Sequence, residues 1–321
     1  MAKLYRSPML VHSRLKTMKM KSTFRAADLS IVTVTYNHES EISDYLTAIF
    51  KSNGRWVAEI VIVDNASIDG TIDLINEFRI ENPSKRFQIK LLHNDENIGF
   101  TKASNQGMST ASGNILMLLN PDTQVKPDTL TQLMKYLSEN PIVGIVAPQL
   151  LNSDGSVQPS CRRFPRRADV LWHALGLNVL FPKSPQFNGW KMGDFQHDNT
   201  TEVDQPQGAA LMTPRLAFED VGILDEEFPM FFSDVDWCRR YRENNWKIIY
   251  FPKAQCSHIQ GTSIIRNRIP MIWSSTHSFI RYFEKYHPGF WNGIGNFFTK
   301  ILLQVLAFLR CSFLFLFNKK T

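Results

Sequence analysis

Short runs of β-branched and other apolar residues alternate with amphipathic stretches along the N-terminal half of the chain, and several runs close on a polar cluster. Leu29–Thr35 leads into Tyr36-Asn37-His38, the run through Val63 into Asp64-Asn65, and Asn114–Leu119 into Asn120-Pro121-Asp122. Gln88–His93 reads as a further strand, with helices expected at Glu41–Lys51, Thr71–Arg79 and Gly99–Ser109. Strands of this length alternating with helical patterns predict an α/β fold, a mostly parallel central sheet with helices on both faces. In such a sheet ligands bind in the crevice at the carboxyl ends of the strands, so the polar clusters are expected to form one site. Residues 151–206 break the alternation and predict a loop-and-helix excursion. Beyond them come a strand at Ala209–Met212, a helix near Pro214–Val221, an aromatic approach Phe228–Phe232 to Ser233-Asp234-Val235-Asp236, and a late strand at Trp246–Phe251. His258 with Gly261 and Ser263 closes the sheet domain. The expected division is a basic arm at 1–27, a catalytic domain at 28–265 carrying the excursion, and a helical region at 266–321.

Charge changes this picture at two places. The 321-residue chain has a formal net charge of +6, and residues 1–27 hold seven lysines and arginines before the first acid, Asp28. A second cluster, Arg162, Arg163, Arg166 and Arg167, flanks Phe164-Pro165. Such patches suit an anionic membrane surface or a phosphorylated substrate. No nucleic-acid recognition motif accompanies them. The four cysteines form no C-x-x-C pair, which argues against a zinc site or a disulfide framework. No apolar secretory run opens the chain, so a cytoplasmic protein is expected. From Ile301 to Phe317 the chain is almost wholly apolar, with Gln304 and Arg310 as interruptions. Lys300, Gln304, Ala307 and Cys311 fall on one helical stripe, which predicts a helix lying in the membrane interface rather than crossing it.

Several side chains carry candidate chemistry. Asp64, at a strand end before a turn, is placed to accept the ring N–H of a pyrimidine. Gly99 allows backbone to approach a ligand closely, between Asn97 and Asn105, at the start of a helix that favours negative charge. Asp122 follows a buried strand on a proline-stiffened turn, which suits a hard cation such as Mg²⁺ or Mn²⁺ bound jointly with substrate phosphates. Asp234 lies beside Phe231 and Phe232, where partial desolvation raises a carboxyl pKa and makes it a better base. Asp236 competes for that role, and both residues also suit a helix start. His258 reads as a metal ligand, a phosphate contact or a structural histidine.

In this order the motifs resemble the family 2 glycosyltransferases of GT-A fold, particularly their bacterial rhamnosyltransferase-like branch. The resemblance is carried by Val34-Thr35-Tyr36-Asn37, Val63-Asp64-Asn65-Ala66-Ser67, Asn97-Ile98-Gly99-Phe100, Leu119-Asn120-Pro121-Asp122, Gly208-Ala209-Ala210, Leu224-Asp225-Glu226-Glu227-Phe228 and Phe231-Phe232-Ser233-Asp234-Val235-Asp236. It implies inverting transfer of a sugar, rhamnose being favoured, from a nucleotide-diphosphate sugar to a glycan or lipid-diphosphate-linked acceptor in cell-surface polysaccharide synthesis. It implies Asp64 at the base, Asp122 as the surviving carboxylate of a D-x-D metal element, Asp234 as general base, and His258 as a metal or diphosphate contact. Tyr36, Asn37, Asn65, Asn97, Gly99, Asn105 and Asn120 would line the nucleotide-sugar pocket. Two departures stand out: Asn120 replaces the first D-x-D acid, and Ser233 replaces an acid before the base. Acceptors of this branch are often lipid-linked at the inner face of the membrane. The arginine cluster would then meet acceptor phosphates, and the protein would be peripheral on that membrane. The alternatives are a sugar-1-phosphate nucleotidyltransferase, which would open with a Gly-rich phosphate loop where this chain has Tyr36-Asn37-His38-Glu39, and a catalytically silent sugar-nucleotide-binding scaffold.

Overall fold

Leu29–Thr35 (β1) and Ala58–Asp64 (β2) are buried along their whole length, as strands covered on both sheet faces must be. They belong to a computed structural model that describes residues 27–259 and 268–317. The remaining strands are Phe87–His93 (β3), Ile115–Leu119 (β4), Thr123–Val125 (β5), Val143–Leu151 (β6), Cys161–Arg162 (β7), Thr201–Glu202 (β8), Gln205–Pro206 (β9), Ala210–Pro214 (β10) and Lys247–His258 (β11). The helices are Ile42–Phe50 (α1), Thr71–Glu81 (α2), Phe100–Thr110 (α3), Thr129–Glu139 (α4), Arg167–Ala174 (α5), Leu177–Leu180 (α6), Arg215–Val221 (α7), Ser233–Glu243 (α8), Arg268–Tyr286 (α9) and Phe290–Phe317 (α10).

The main sheet runs β3-β2-β1-β4-β10-β6-β11-β5, with β8 on β11. Strands β3, β2, β1 and β4 are parallel. Beyond them β10 enters antiparallel to both β4 and β6, and β11 runs parallel to β6. The sheet is therefore a parallel half joined to a mixed half through β10. Apolar side chains of α1, α2 and α4 (Ile42, Leu46, Ile75, Leu130, Leu133) fill one face. Met108 of α3, Phe218 of α7 and Trp237 and Tyr241 of α8 fill the other.

Below the strand ends, the buried Glu59 pins the parallel half together. It accepts bonds from Ser30 of β1 (2.5 Å), Ser112 before β4 and Lys90 of β3 (2.5 Å). Burial pushes its pKa up, but these donors outweigh burial and hold it at about 2. Residues 1–26 of the basic arm expected at 1–27, and the Gly261 and Ser263 positions, lie outside the described residues.

The C-terminal helices pack on the sheet domain. Ile280, Tyr282 and Phe283 of α9 and Leu303 of α10 share a cluster with Val170, Phe228, Phe232 and Val235. Arg167 of α5 donates to Asn292 (2.8 Å) and Asn296 (3.1 Å) of α10. Helix α10 has 28 residues, about 42 Å at ~1.5 Å per residue, and Phe290–Phe315 is long and apolar enough to cross a membrane by length and composition. The expected polar stripe is only partly present. Lys300 and Gln304 are exposed, but Ala307 is buried on the packed face with Leu303. The exposed side instead carries Phe297, Phe298, Ile301, Val305, Phe308 and Leu309.

Candidate active site

The parallel pairing of β1 through β4 brings their carboxyl ends to one edge, with chain order reversing about β1. Asp64 is fully buried there. Its carboxylate accepts from Thr35 Oγ1 (2.9 Å), Ser67 N (2.9 Å) and Ser67 Oγ (2.6 Å), with His93 Nδ1 at 3.3 Å. A carboxylate offers about four lone-pair sites, so these neighbours fill it. Asp64 forms the floor of the crevice, and the ring presented to solvent above it is the half-exposed His93. Asn37, at φ 57°, accepts from Ile68 N (2.9 Å) while its own N–H donates to Ser67 Oγ (2.9 Å). Tyr36 is 41 % exposed at the mouth.

Asn65 holds the next loop. Its amide nitrogen donates to Asn97 Oδ1 (2.7 Å), and its oxygen accepts from Ile98 N (3.0 Å). Asn97 Oδ1 also accepts from Gly99 N (3.0 Å). Gly99 has φ +88°, a left-handed conformation that glycine adopts without a Cβ penalty. It starts α3, whose Thr101 donates through its N–H to Pro229 O (3.1 Å) and through Oγ1 to Phe228 O (2.5 Å). Those bonds tie this loop to the segment that delivers Asp234.

The next strand end has the opposite character. Asn120 Oδ1, Asp122 Oδ1 and Thr123 Oγ1 are buried oxygens without a hydrogen-bond partner. His258 Nε2 stands 3.5 Å from Asp122 Oδ1. His258 Nδ1 is 2.8 Å from Gln158 Oε1, an amide oxygen that accepts from it, which turns Nε2 toward Asp122. Buried oxygens without donors cost free energy unless something completes them. A carboxylate, an amide oxygen and an oriented imidazole fit a divalent cation whose other ligands are phosphate and water. Among the described residues no group of three His, Cys, Asp or Glu side chains converges.

Gly208 and Ala209 join this turn to the third carboxylate. Ala209 O accepts from Asn120 N (2.9 Å), and Gly208 N donates to Asp234 Oδ2 (2.9 Å). A Cβ on Gly208 would lie 3.0 Å from that of Asp234, so a larger residue here would press on the Asp234 side chain. Gln205 Nε2 also donates to Asp234 Oδ2 (2.9 Å), and Val235 N to Oδ1 (2.8 Å). Burial raises the Asp234 pKa against these bonds. Phe232, just before α8, has φ 67°, a strained conformation for a bulky residue that costs roughly 1–3 kcal/mol. Its ring is held by Phe279 and Tyr282 of α9.

Asp236, two residues on, is fully buried and saturated. Arg240 Nε (2.8 Å), Lys285 Nζ (2.5 Å) and Tyr286 Oη (2.7 Å) all donate to it. Lys285 also donates to Asp225 (2.7 Å), so this carboxylate fastens α9 to α8. Asp234, by contrast, is partly exposed and is joined through Gly208 and Ala209 to the turn that holds Asn120 and Asp122.

Some expected site residues are committed elsewhere. Asn105 is buried, donating to Leu224 O (3.0 Å) and Glu226 (3.1 Å) and accepting from Leu224 N (2.9 Å). It supports the crevice wall rather than lining the pocket. In the arginine cluster, Arg166 pairs with Asp169 (2.9 Å), Arg167 with α10, and Arg163 with Gly189 O (2.9 Å) and Asp194 (3.4 Å). Arg162 is the member within electrostatic reach of Asp234. The cluster is thus mainly a set of internal ties. His93, Gln158 and Gln205 are site residues that sequence pattern did not single out. His93 closes a strand and was in view as such, whereas the two glutamines sit in the irregular excursion, far along the chain from their partners.

Comparison with known proteins agrees with this geometry. The model of "Glycosyl transferase family 2" matches residues 30–196. An N-acetylglucosaminyl-diphospho-decaprenol L-rhamnosyltransferase of Mycobacterium tuberculosis is 26 % identical over 274 residues, 82 % of this chain and 86 % of that protein. A low-salt glycan biosynthesis hexosyltransferase of Haloferax volcanii is 24 % identical over 69 % of this chain and 64 % of its own. In three dimensions the chain is similar to a mannosyltransferase of Pyrobaculum calidifontis solved with GDP-Man and Mn²⁺, with TM-score 0.57 and 16 % identity over 94 % of this chain and 82 % of that one. From the first strand through the excursion that carries Gln158 and Arg162, the chain belongs to glycosyl transferase family 2, in its rhamnosyltransferase-like branch, and is a glycosyltransferase of GT-A fold.

Proposed function

We propose that this glycosyltransferase moves a hexose, favoured as rhamnose, from a nucleotide-diphosphate donor to a hydroxyl of a lipid-diphosphate-linked acceptor, with inversion. The observation that carries the reading is the contrast between Asp234 and Asp236: one carboxylate faces the crevice with a raised pKa, and the other is locked in ion pairs. Asp234 takes the proton of the acceptor hydroxyl while its oxygen attacks the anomeric carbon. The bond from that carbon to the diphosphate breaks on the opposite face, and the nucleoside diphosphate leaves. Gly208 N–H and Gln205 hold Asp234 in place. Asp122 and His258, with Asn120, would hold a Mg²⁺ or Mn²⁺ ion, which neutralises charge on the leaving diphosphate. The donor's base would stack at Tyr36 and meet the floor formed by His93 and Asp64, with Asn37, Asn65, Asn97 and Gly99 shaping the pocket.

The preference for rhamnose and for a lipid-linked acceptor draws support from the mycobacterial relative's name. A peripheral position on the cytoplasmic face of the membrane draws support from the exposed aromatic side of α10 and the exposed Val179, Leu180 and Phe181 of the α6 tip. On this reading residues 1–27 are a basic arm, 28–265 the catalytic domain and 266–321 the membrane-associating region. A panel of nucleotide-sugar donors scored for nucleoside diphosphate release, with Mg²⁺, Mn²⁺ or chelator, tests it. Metal-dependent release from one donor is expected. Donor binding without turnover of any member would indicate the silent scaffold instead.

A further inference from the structure

A cavity of about 650 Å³ lies between α5, α9 and α10, within the ~300–1,000 Å³ range of small-molecule sites. Its walls are largely apolar, with Val170, Phe279, Leu303, Leu306 and Ala307 among them. It also collects His173, Lys191, Arg268 and Arg310, against one acid, Asp169. That acid is already spent on Arg166. Among the described residues Lys191, Arg268 and Arg310 have no carboxylate partner.

His173, Lys191 and Arg310 are close enough to oppose one another. Burial lowers the Lys191 pKa, and Arg162 and Arg310 lower it further. Burial likewise lowers that of His173, with Lys191 and Arg310 adding to the effect. Like charges gathered at a partly desolvated site carry a cost that a bound anion removes.

The position of the cavity gives it a direction. Phe231 is part of its wall, three residues before Asp234. Arg162 lies within electrostatic reach of both Lys191 and Asp234, so the cations lead from the cavity toward the base. The cavity's far wall is α10, whose outer side is the exposed apolar surface. An amphiphile with an apolar tail and a multiply charged anionic head matches both ends.

We propose that this cavity is the acceptor's lipid-diphosphate site, with the tail against Val170, Leu303, Leu306 and Ala307 and the diphosphate held by Lys191 and Arg310. The acceptor sugar then projects past Phe231 to Asp234. This rests on the reading of the chain as a transferase to lipid-linked acceptors, and it places the phosphate contacts on cations other than the Arg163, Arg166 and Arg167 cluster.

The test is equilibrium titration of the full chain in neutral detergent with farnesyl diphosphate, alongside farnesol, inorganic diphosphate and phosphatidylglycerol micelles. Farnesyl diphosphate is expected to bind more tightly than any of the other three. Lys191→Met and Arg310→Gln should each weaken its binding about tenfold, as loss of a charge-assisted contact does. Neither should alter the weaker binding of farnesol. Ala307→Trp, which narrows the cavity where the tail would lie, should weaken farnesyl diphosphate binding; if it fails to fold, the exposed Arg310→Gln still decides the matter. Native-like binding by folded Lys191→Met and Arg310→Gln variants would overturn the proposal, as would equal competition by phosphatidylglycerol, which would mark a general lipid surface. Nucleoside diphosphate release is scored separately on the native chain. Release together with unaltered lipid binding in the variants refutes the cavity and leaves the transferase standing. Absence of release from every donor sinks the transferase reading and the acceptor role with it.

Discussion

At the ends of β1, β2 and β3 the polar side chains Asp64, Asn65, Asn97 and Asn37 are bonded to one another's loops. At the cavity between α5, α9 and α10, Lys191, Arg268 and Arg310 stand without carboxylate partners among the described residues, and aromatic rings of α10 stand in solvent. The first region is held by hydrogen bonds among its own loops. The second is assembled from segments far apart in the chain, residues 169–173 on one side and residues 268–314 on the other. A pocket for a small, rigid nucleotide is best preorganised, because ordering cost is then met on folding rather than on binding. A surface for a long apolar chain gains from exposed area and unpaired charge.

Substitutions can sharpen that contrast. The largest effect is expected at Asp122, on the turn after β4. Asp122→Ala should lower kcat on the order of 10²–10³-fold, the scale seen when a preorganised electrostatic contact is lost, and should blunt the response to added Mn²⁺. Asp236→Asn should act on stability. Breaking a buried ion pair costs roughly 3–5 kcal/mol, so the melting temperature should drop clearly, while the folded fraction keeps its pH–rate profile. Gln158→Ala releases the His258 ring and should weaken metal affinity about 10–100-fold, measured by the Mn²⁺ concentration for half-maximal turnover.

A smaller effect is expected in the pH dependence of stability. Glu59 has its pKa depressed from the ordinary 4.5 to about 2, so its contribution is fully present above 4.5 and fades as pH falls toward 2. Glu59→Gln should therefore melt lower than the native chain at neutral pH, with the gap closing on acidification. A gap that widens in acid would contradict the assignment.

Much of the donor half was legible in the sequence. Each strand there is a short apolar run that stops at a polar residue, and parallel pairing then forces the stops to one edge. In the second half the strands and helix near Ala209–Met212, Pro214–Val221 and Trp246–Phe251 were legible as well, but the contacts among them were not. No local pattern shows that Asn105 will reach Leu224, that Gln158 will hold the ring of His258, or that Arg166 and Arg167 will be used up on Asp169 and α10. Those pairings depend on where distant segments come to rest. The choice between Asp234 and Asp236 was hidden for the same reason: both suit a helix start, and Lys285, 49 residues beyond Asp236, occupies the second. The polar stripe assigned to α10 misjudged Ala307, because a small residue suits close packing against another helix as well as it suits an aqueous face.

The central claim is that Asp234 is the base and Asp236 is not. Its most direct test is the pH dependence of kcat/KM for the native chain, beside turnover by Asp234→Asn at matched donor occupancy. Because burial raises the Asp234 pKa, activity should rise with pH through a limb above the ordinary carboxylate value of ~3.9. The folded variant should bind donor yet lose roughly 10²–10⁴-fold in turnover, together with that limb. An Asp234→Asn protein that turns over at the native rate with the limb intact would contradict the account.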